Sequence, residues 1–138
     1  MVSDGIHFNI SHSGHCAVCA ISIEEEIGID VEQVSVVEPG EFTEFFTGDE
    51  IIRIKQASEP MRTFYDLWTK KEAILKAEGN GLLTNPKLIE LSSNDLGSLG
   101  LKTWKLEKIE LDRNYICHVA LPAHRSDHEI YWNPVRIV

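Results

Sequence analysis

The sequence predicts an α+β domain built of short strands and one long helix. Two observations support this fold class. Strand-like segments occupy both ends of the chain, and the strongest helical pattern lies between them, at about 61–78. Because helices do not separate the strands one by one, the order does not fit regular βαβ winding. The length of 138 residues is typical of a single domain, 1–138.

The first third of the chain reads as short strands joined by turns. Val, Ile and Phe are frequent there, which favours extended backbone, and Pro39 and Gly40 mark a loop near the end of the region. We expect strands at 6–10 (IHFNI), 16–23 (CAVCAISI) and 27–31 (IGIDV), turns at 11–14 and 24–26, and a loop over 32–40.

Three helices are expected in the middle of the chain. Residues 41–57 suggest two short helices that break at Thr47–Gly48, where Thr47 or Asp49 can cap the second one. The longest helix is expected at about 61–78, because its apolar residues keep a helical spacing. The GNG sequence that follows it is a typical helix stop.

The last part of the chain returns to strands. Four segments are rich in Val, Ile, Leu and aromatic residues that alternate with polar ones: KLIELS, LKTWKLEKIEL, YICHVAL and EIYWNPVRIV. Asp112–Asn114 makes a plausible turn between the second and third of them. Strands, then helices, then strands is the order from which the α+β prediction follows.

The charges are distributed very unevenly. Residues 1–52 contain eleven Asp and Glu but no Lys or Arg, and the net charge of the chain is −9. Binding to nucleic acid needs a basic face, which this segment does not offer. The apolar runs are too short to cross a bilayer, and no secretory signal is visible. We therefore expect a cytoplasmic protein with no nucleic-acid or membrane partner.

The three cysteines, Cys16, Cys19 and Cys117, are too few for a disulfide framework. The stretch HSGHCAVC also suggests a zinc site. On a strand, however, Cys16 and Cys19 point to opposite faces and do not easily share one ion. Buried, unpaired thiols are the expected state.

Two acids on the third expected strand stand two residues apart, in the sequence GIDVE. If this segment is extended, Asp30 and Glu32 point to one face, while Ile29 and Val31 point inward. Two neighbouring carboxylates raise each other's pKa unless a positive charge lies between them. The spacing alone favours the solvated face of a half-buried strand over a cation site.

A second charged pair lies on the long helix, in the sequence WTKKEAILK. Glu72 and Lys76 are four residues apart, which is typical of a surface ion pair worth roughly 0.2–0.5 kcal/mol. Trp68 stands at the head of the same stripe and indicates partial burial, where an ion pair needs a stronger reason to exist. Lys71 adds positive charge beside the stripe.

Together the two pairs fit one kind of chemistry. Asp30, Glu32 and Glu72 offer three oxygen ligands, which suit Mg²⁺. Such an ion binds a pyrophosphate and leaves a phosphorus open to attack. Lys76 could then steady the departing phosphate, and His12, in a turn between strands, could contact another phosphate.

Three stretches resemble, in this order, the motifs of the 4′-phosphopantetheinyl transferases: HFNISHSG (7–14), IGIDVE (27–32) and LWTKKEAILKAEGNGL (67–82). The closer resemblance is to the type that activates non-ribosomal peptide synthetases, such as the surfactin type. The smaller holo-acyl-carrier-protein synthase class is similar in GID and KEAILKAEG, but usually has Arg at the position of Val36. The resemblance implies the fold of that family, here as one half-unit of antiparallel strands against a long helix.

The resemblance also implies an activity, the Mg²⁺-dependent transfer of 4′-phosphopantetheine from coenzyme A to a serine of an acyl or peptidyl carrier protein. Asp30, Glu32 and Glu72 match the metal ligands of the family, and Glu72 also matches the residue that takes the proton from the serine. Lys76 matches the lysine that stabilises the leaving group.

The same resemblance implies where the two substrates bind. Ser11 and His12 match residues that contact coenzyme A, the histidine at its 3′-phosphate, and we expect Lys71 and Lys76 to bind the coenzyme with them. The segments 41–57 and 79–110 correspond to regions that meet the carrier protein.

Members of the surfactin type are built of two similar halves that hold coenzyme A and the metal between them. This chain resembles the second half, because it begins with a motif found near the end of the first half. It could work with a first half encoded separately, or another copy could supply the missing wall. A half-domain exposes apolar surface, which favours a homo-oligomer.

Two other classes of function compete with this interpretation. A metal-dependent nuclease also gathers acids around Mg²⁺, but the acidic first third and the helical spacing of Glu72 and Lys76 disfavour it. The main alternative is a non-catalytic or weakly active half-domain that binds carrier protein or coenzyme A. The presence of all three acids and of Lys76 disfavours pure binding.

Overall fold

A computed structural model describes residues 5–23, 25–38, 40, 42–79, 83–124, 131 and 133. Within them, the elements in chain order are β1 (Ile6–Ser13), β2 (Cys16–Ile23), β3 (Gly28–Gln33), α1 (Phe42–Phe45), α2 (Gly48–Gln56), α3 (Pro60–Glu78), a 3-10 helix (Pro86–Leu88), β4 (Glu90–Leu91), β5 (Leu96–Leu99), β6 (Lys102–Lys108) and β7 (Tyr115–Pro122). No helix in these ranges combines the length and the apolar character that a membrane crossing requires.

The strands form two antiparallel sheets. Strands β3 to β7 make a five-stranded sheet in the order β3-β7-β6-β5-β4, and β1 pairs with β2 in a hairpin. Helix α3 packs on one face of the larger sheet, where Ile74 joins Leu106 and Ala120 in a buried cluster. The hairpin packs on the other face, where Ala20 meets Val31. The predicted α+β arrangement, antiparallel strands against a long helix, is confirmed.

The helices begin and end at the residues that the sequence predicts. Thr47 caps α2, accepting a hydrogen bond from Glu50 N, while the Glu50 side chain accepts one from Thr47 N. Pro60 occupies the first turn of α3, where its missing N–H costs nothing. Gly79 ends this helix in the left-handed region, with φ of 89°.

The hairpin is attached to β3 by side chains rather than by a backbone ladder. Every second residue of β1 accepts a hydrogen bond from every second amide of β3: Asn9 Oδ1 from Ile29 N at 2.8 Å, Ser11 Oγ from Val31 N at 3.1 Å, and Ser13 Oγ from Gln33 N at 2.9 Å. These amides lie on the open edge of the five-stranded sheet, so the three side chains satisfy donors that would otherwise be unpaired.

Several strand boundaries differ from the prediction. Residues 11–13 continue β1 instead of turning, because their side chains bond to β3, and β3 continues to Gln33. The KLIELS segment forms only the end of the 3-10 helix and the two-residue β4, because Pro86 and Asn85 favour the tight turn. Strand β5 was not predicted. The EIYWNPVRIV strand lies outside the described residues, apart from Tyr131 and Asn133.

Glycine at position 28 sets how closely β3 approaches α3. A Cβ atom built there would lie 1.9 Å from Ala73 O and 2.6 Å from Ala77 N, both on the helix backbone. No side chain fits at these distances, so only glycine allows this separation. The close approach brings the acids of β3 next to Glu72 and Lys76 of α3, which directly precede Ala73 and Ala77.

We expect Gly28→Ala to destabilise the protein, because the added methyl group must push β3 away from α3. Overpacking of this kind costs about 1–3 kcal/mol, and here the atoms that must move belong to backbone. Urea denaturation measures the loss. Gly48→Ala is the matched control, since a Cβ atom there meets nothing within 4 Å. Equal stability of the two variants would contradict this account of the contact.

Candidate functional site

The centre of the candidate site is the Asp30 carboxylate, which is 3% exposed. The Lys76 ammonium, reaching across from α3, donates to Asp30 Oδ1 at 3.1 Å and to Ile29 O at 3.1 Å. The Ser11 hydroxyl donates to the same Asp30 Oδ1 at 3.2 Å. Strand β3, helix α3 and the hairpin therefore meet at one carboxylate oxygen.

Glu32 and Glu72 lie within electrostatic reach of Asp30. Burial, reinforced by the charges of Asp30 and Glu72, raises the pKa of Glu32 from 4.5 to about 7. Burial and the Asp30 charge also raise the pKa of Glu72, and the Lys76 charge offsets part of that increase. The pKa of Asp30 itself is raised by burial, against the opposing effect of Lys76. Three acids thus share one lysine and carry an excess of negative charge.

This excess and one unpaired atom fit a divalent cation. Asp30 Oδ2 is buried and has no hydrogen-bond partner. An orphan carboxylate oxygen beside two further carboxylates is a donor set that suits Mg²⁺. In this conformation, however, no three His, Cys, Asp or Glu side chains of the described residues converge closely enough to hold an ion. Carboxylates that lie close together without a cation repel one another, which favours side-chain conformations that keep their oxygens apart.

The expectation that the two acids of β3 lie on a solvated face is wrong for Asp30. Helix α3 covers that face of the strand, and only Glu32, nearer the end of β3, remains half-buried. The expected helical ion pair between Glu72 and Lys76 is also replaced. Among the described residues, the ion-pair partner of Lys76 is Asp30.

Ser11 and His12 point to opposite faces of β1. Ser11 faces inward, is 6% exposed, and bonds to Asp30 and to the Val31 amide. His12 faces outward and is exposed. The neighbouring Cys19, on β2, is exposed as well, so the expectation of buried thiols fails there. Ser11 and His12 were both predicted to contact coenzyme A, but of these two only His12 presents its side chain to solvent.

Lys71 contradicts the expectation that it binds a coenzyme. Its side chain has no exposed surface, and its ammonium donates to Glu50 Oε1 at 2.7 Å, Phe45 O at 3.0 Å and Pro86 O at 3.1 Å. It also lies 5.1 Å from the centre of the Phe46 ring. All three N–H groups of the ammonium have acceptors inside the protein. Lys71 ties α1, α2 and the 3-10 helix to α3, and we leave it out of the coenzyme site.

Sequence reasoning missed a buried histidine beside the site. His118 on β7 is paired in register with Asp30, so both side chains face α3. Its Nδ1 atom lies 2.7 Å from Thr69 Oγ1, and its Nε2 atom lies 3.6 Å from Asp66 Oδ1. Burial lowers its pKa to about 4, so the ring is neutral at pH 7. Only the strand register, which the sequence does not reveal, could have connected it to Asp30.

Two surface pockets lie away from these acids. One, of about 340 Å³, lies at the start of α3 and includes Arg62 and Arg113. The other, of about 570 Å³, is lined by residues around Trp104 and His124. Neither pocket is lined by Asp30, Glu32 or Glu72. The candidate site is therefore defined by the electrostatic coupling of these acids and not by a cavity.

The family model and the relatives that match this chain carry the same description. Residues 26–126 match the family model described as "4'-phosphopantetheinyl transferase superfamily". The 4'-phosphopantetheinyl transferase gsp of Aneurinibacillus migulanus is 34% identical over 119 residues, 81% of this chain and 50% of the relative. The 4'-phosphopantetheinyl transferase Sfp of Bacillus subtilis is 40% identical over 78 residues, 55% of this chain and 34% of the relative. The chain thus spans half or less of the length of these relatives.

A solved structure shows the same fold. The crystal structure of holo-[acyl-carrier-protein] synthase (AcpS) from Neisseria meningitidis superposes with a TM-score of 0.57 at 15% sequence identity. The match covers 70% of this chain and 96% of that one. At this identity the likeness concerns the fold, an antiparallel sheet packed against helices.

We expect Lys71→Met to destabilise the protein strongly, because it leaves the buried Glu50 carboxylate without its counter-charge. Breaking a buried ion pair from one side costs about 3–5 kcal/mol. The neighbouring Lys70→Met is the matched control and should cost less than about 1 kcal/mol, since the Asp66 partner of Lys70 is partly exposed. If Lys71→Met were as stable as the wild type in urea denaturation, Lys71 would not be the residue that holds α1, α2 and the 3-10 helix to α3.

In the absence of divalent cations, Glu32→Gln should stabilise the protein above neutral pH. The folded-state pKa of Glu32 is raised to about 7, so the stability linked to its protonation is complete below its unfolded pKa of 4.5. That stability is lost as pH rises through 7, a loss of about 1–2 kcal/mol after allowing for solvent screening. Gln has no such loss.

The measurement is thermal melting in a chelator, between about pH 5 and pH 8.5. Glu59→Gln serves as the control, because this exposed acid pairs with Arg113 and takes no part in the cluster. If the melting temperatures of wild type and Glu32→Gln changed with pH in parallel, the repulsion of Glu32 by Asp30 and Glu72 would be contradicted.

Proposed function

The chain belongs to the 4′-phosphopantetheinyl transferase superfamily, and from that premise we propose that it transfers 4′-phosphopantetheine from coenzyme A to a serine hydroxyl of an acyl or peptidyl carrier protein. The serine oxygen forms a bond to the phosphorus next to the pantetheine as the bond from that phosphorus to the bridging oxygen of the pyrophosphate breaks, and adenosine 3′,5′-bisphosphate leaves with that oxygen. The observation that supports the proposal is the electrostatic coupling of Asp30, Glu32 and Glu72 at the junction of β3 and α3, where Lys76 bonds to Asp30.

The charge of this cluster supports a role for Mg²⁺. Asp30, Glu32 and Glu72 would hold the ion, and the unpaired Asp30 Oδ2 is an available ligand atom. When bound, the ion would neutralise the pyrophosphate of the coenzyme, which otherwise repels the acids of the site. The raised pKa values of Glu32 and Glu72 reflect the repulsion that such an ion would relieve.

Glu72 is the proposed general base. A pKa raised towards neutrality makes a carboxylate a better acceptor for the proton of a serine hydroxyl. Its position on α3 is rigid, because the preceding residue, Lys71, is tied to three other segments. The base is thus held by the helix rather than by a loop.

Lys76 is the proposed group that stabilises the leaving phosphate. Its side chain is 28% exposed, and two of its three N–H groups bond to Asp30 and Ile29. The third has no acceptor among the described residues, so it can donate to a phosphate oxygen without breaking either bond. A fixed ammonium next to the reacting phosphorus stabilises the charge that develops on the departing oxygen.

The contacts that coenzyme A and the carrier protein would make elsewhere on the chain are also proposals. His12 would bind the 3′-phosphate of coenzyme A from the hairpin, and the segments 41–57 and 79–110 would meet the carrier protein. The chain spans about half of this relative, and residues beyond that span, from a first half or from another copy, would complete the coenzyme site. The three unpaired cysteines are consistent with the proposed cytoplasmic location.

One observation favours a second candidate, a half-domain that binds carrier protein or coenzyme A without transfer. The acids of the described residues do not converge on one ion position in this conformation. In this candidate, the half of the relatives that the chain does not span is required to bring them together.

We expect the protein to add the mass of 4′-phosphopantetheine to an apo carrier protein in the presence of coenzyme A and Mg²⁺. Glu72→Gln should lower the rate by a factor on the order of 10²–10⁴, because it removes the general base while keeping the shape of the side chain. Glu59→Gln is the control and should react at the wild-type rate, because this exposed acid lies outside the cluster and outside the proposed carrier-binding segments. Mass spectrometry of the carrier measures all three reactions.

Each outcome separates the two candidates. Transfer that is lost in Glu72→Gln supports the transferase and its base. Binding of the carrier without a gain in mass supports the half-domain. Full activity of Glu72→Gln would overturn the role of Glu72, and absence of both transfer and binding would overturn both candidates.

A further inference from the structure

Ser11 links the hairpin to the candidate site. Asn9, Ser11 and Ser13 of β1 each accept a hydrogen bond from an amide of β3. Among the described residues of the hairpin, Ser11 is the one that also donates to an acid of the site, with its hydroxyl oxygen 3.2 Å from Asp30 Oδ1. A serine that served only to attach the hairpin would not need this second bond.

The Val31 amide determines the direction of the Ser11 hydroxyl. Ser11 Oγ accepts a hydrogen bond from Val31 N at 3.1 Å, so its own hydrogen must point elsewhere. A hydroxyl has only one hydrogen to donate, and the acceptor in reach is Asp30 Oδ1. Ser11 therefore connects the backbone of β3 at Val31 to the side chain of the residue before it.

The two oxygens of the Asp30 carboxylate have different surroundings. Oδ1 accepts hydrogen bonds from Lys76 Nζ at 3.1 Å and from the Ser11 hydroxyl at 3.2 Å. Oδ2 is buried and has no hydrogen-bond partner within the part of the chain that the structure describes. The carboxylate is thus held through one oxygen, and the other is the ligand atom that the proposed function assigns to Mg²⁺.

Lys76 alone would not keep this second oxygen free. Two of its N–H groups bond to Asp30 and Ile29, and the third has no acceptor among the described residues. If nothing else held Oδ1, rotation of the Asp30 carboxylate would let both of its oxygens share the ammonium. Asp30 would then have no unpaired oxygen to offer to a cation.

We propose that Ser11 is a positioning residue that holds Asp30 Oδ1, so that Oδ2 stays available to a divalent cation. Groups that orient the ligands of a metal ion contribute to its affinity, because an oriented ligand loses less freedom when the ion binds. This role replaces the contact with coenzyme A that the family resemblance implies for Ser11. It rests on the proposed function, in which Asp30 is a ligand of Mg²⁺.

The first experiment measures Mn²⁺ binding, in place of Mg²⁺, by electron paramagnetic resonance of the full chain without coenzyme A. Ser11→Ala removes the hydroxyl and should raise the Kd for Mn²⁺ on the order of 10–100-fold, as is typical when a partner that orients a metal ligand is lost. Because coenzyme A is absent, a lost contact with it cannot cause this change. An unchanged Kd overturns the proposal.

Ser13→Ala is the matched control. It removes the same kind of bond from the same strand, to Gln33 N at 2.9 Å, but Ser13 bonds to no acid among the described residues. Both variants loosen the hairpin and should melt at lower temperatures than the wild type, but Ser13→Ala should bind Mn²⁺ as tightly as the wild type does. An equal loss of Mn²⁺ affinity in both variants would trace the effect to the loosened hairpin and overturn the positioning role.

Ser11→Cys provides a second variant that is closer in size to the native residue. A thiol is a weak donor and a weak acceptor, so Mn²⁺ binding should fall between that of the wild type and that of Ser11→Ala. Circular dichroism gives the temperature range in which each variant is folded, and all titrations are made within it. Wild-type affinity of folded Ser11→Cys for Mn²⁺ overturns the proposal.

The transfer assay of the proposed function, run on the same proteins, separates the two ideas. A wild type that binds Mn²⁺ but transfers nothing contradicts the transferase, while a loss of Mn²⁺ affinity in Ser11→Ala still supports the role of Ser11. A wild type that transfers phosphopantetheine but binds no Mn²⁺ without coenzyme A overturns the role of Ser11 alone. The same holds if Ser11→Ala loses affinity for coenzyme A and keeps its affinity for Mn²⁺.

Discussion

The hydrogen bonds of Lys76 to Asp30 and Ile29 are the interaction on which the arrangement of the site depends. They fasten the long helix to the edge strand of the sheet at the one place where glycine lets the two backbones come close. The contact at Gly28 sets how closely β3 approaches α3, but it does not fix where the acid side chains lie. Lys76 fixes the position of the Asp30 carboxylate directly, because it bonds to that carboxylate and to the neighbouring Ile29 carbonyl. The site is thus built from the same contact that joins the layers.

The charged residues of α3 divide into those that hold the fold and those that are left for chemistry. Lys71 is fully used inside the protein, and Lys70 pairs with Asp66 on the same helix. Lys76 is the lysine that faces the acids and still has an unused donor. Glu72 has no ion-pair partner among the described residues, and burial next to Asp30 raises its pKa. Such concentrations of unrelieved repulsion are typical of sites that bind a ligand of opposite charge.

The sequence predicted much of this architecture, and its failures have physical causes. The helices were predictable, because Thr47, Pro60 and Gly79 are local signals that act within one turn of the backbone. The joint position of Asp30, Glu32 and Glu72 came from a family resemblance, since their spacing alone favoured solvated pairs. The burial of Lys71 and the contacts of His118 were not predictable. Both depend on segments 15 or more residues away in the chain, and no local pattern encodes such contacts.

The side-chain bonds between β1 and β3 have a consequence beyond the site. They shield the outer edge of the larger sheet without adding a strand to it, so three short polar residues stand between this edge and other molecules. If the hairpin detaches, alternate amides of β3 become free to pair with any extended segment, and the Ile-rich strands are released at the same moment. Damage to the hairpin would then lead to aggregation. The protein would be lost from solution although the charged groups of the candidate site on β3 and α3 are intact.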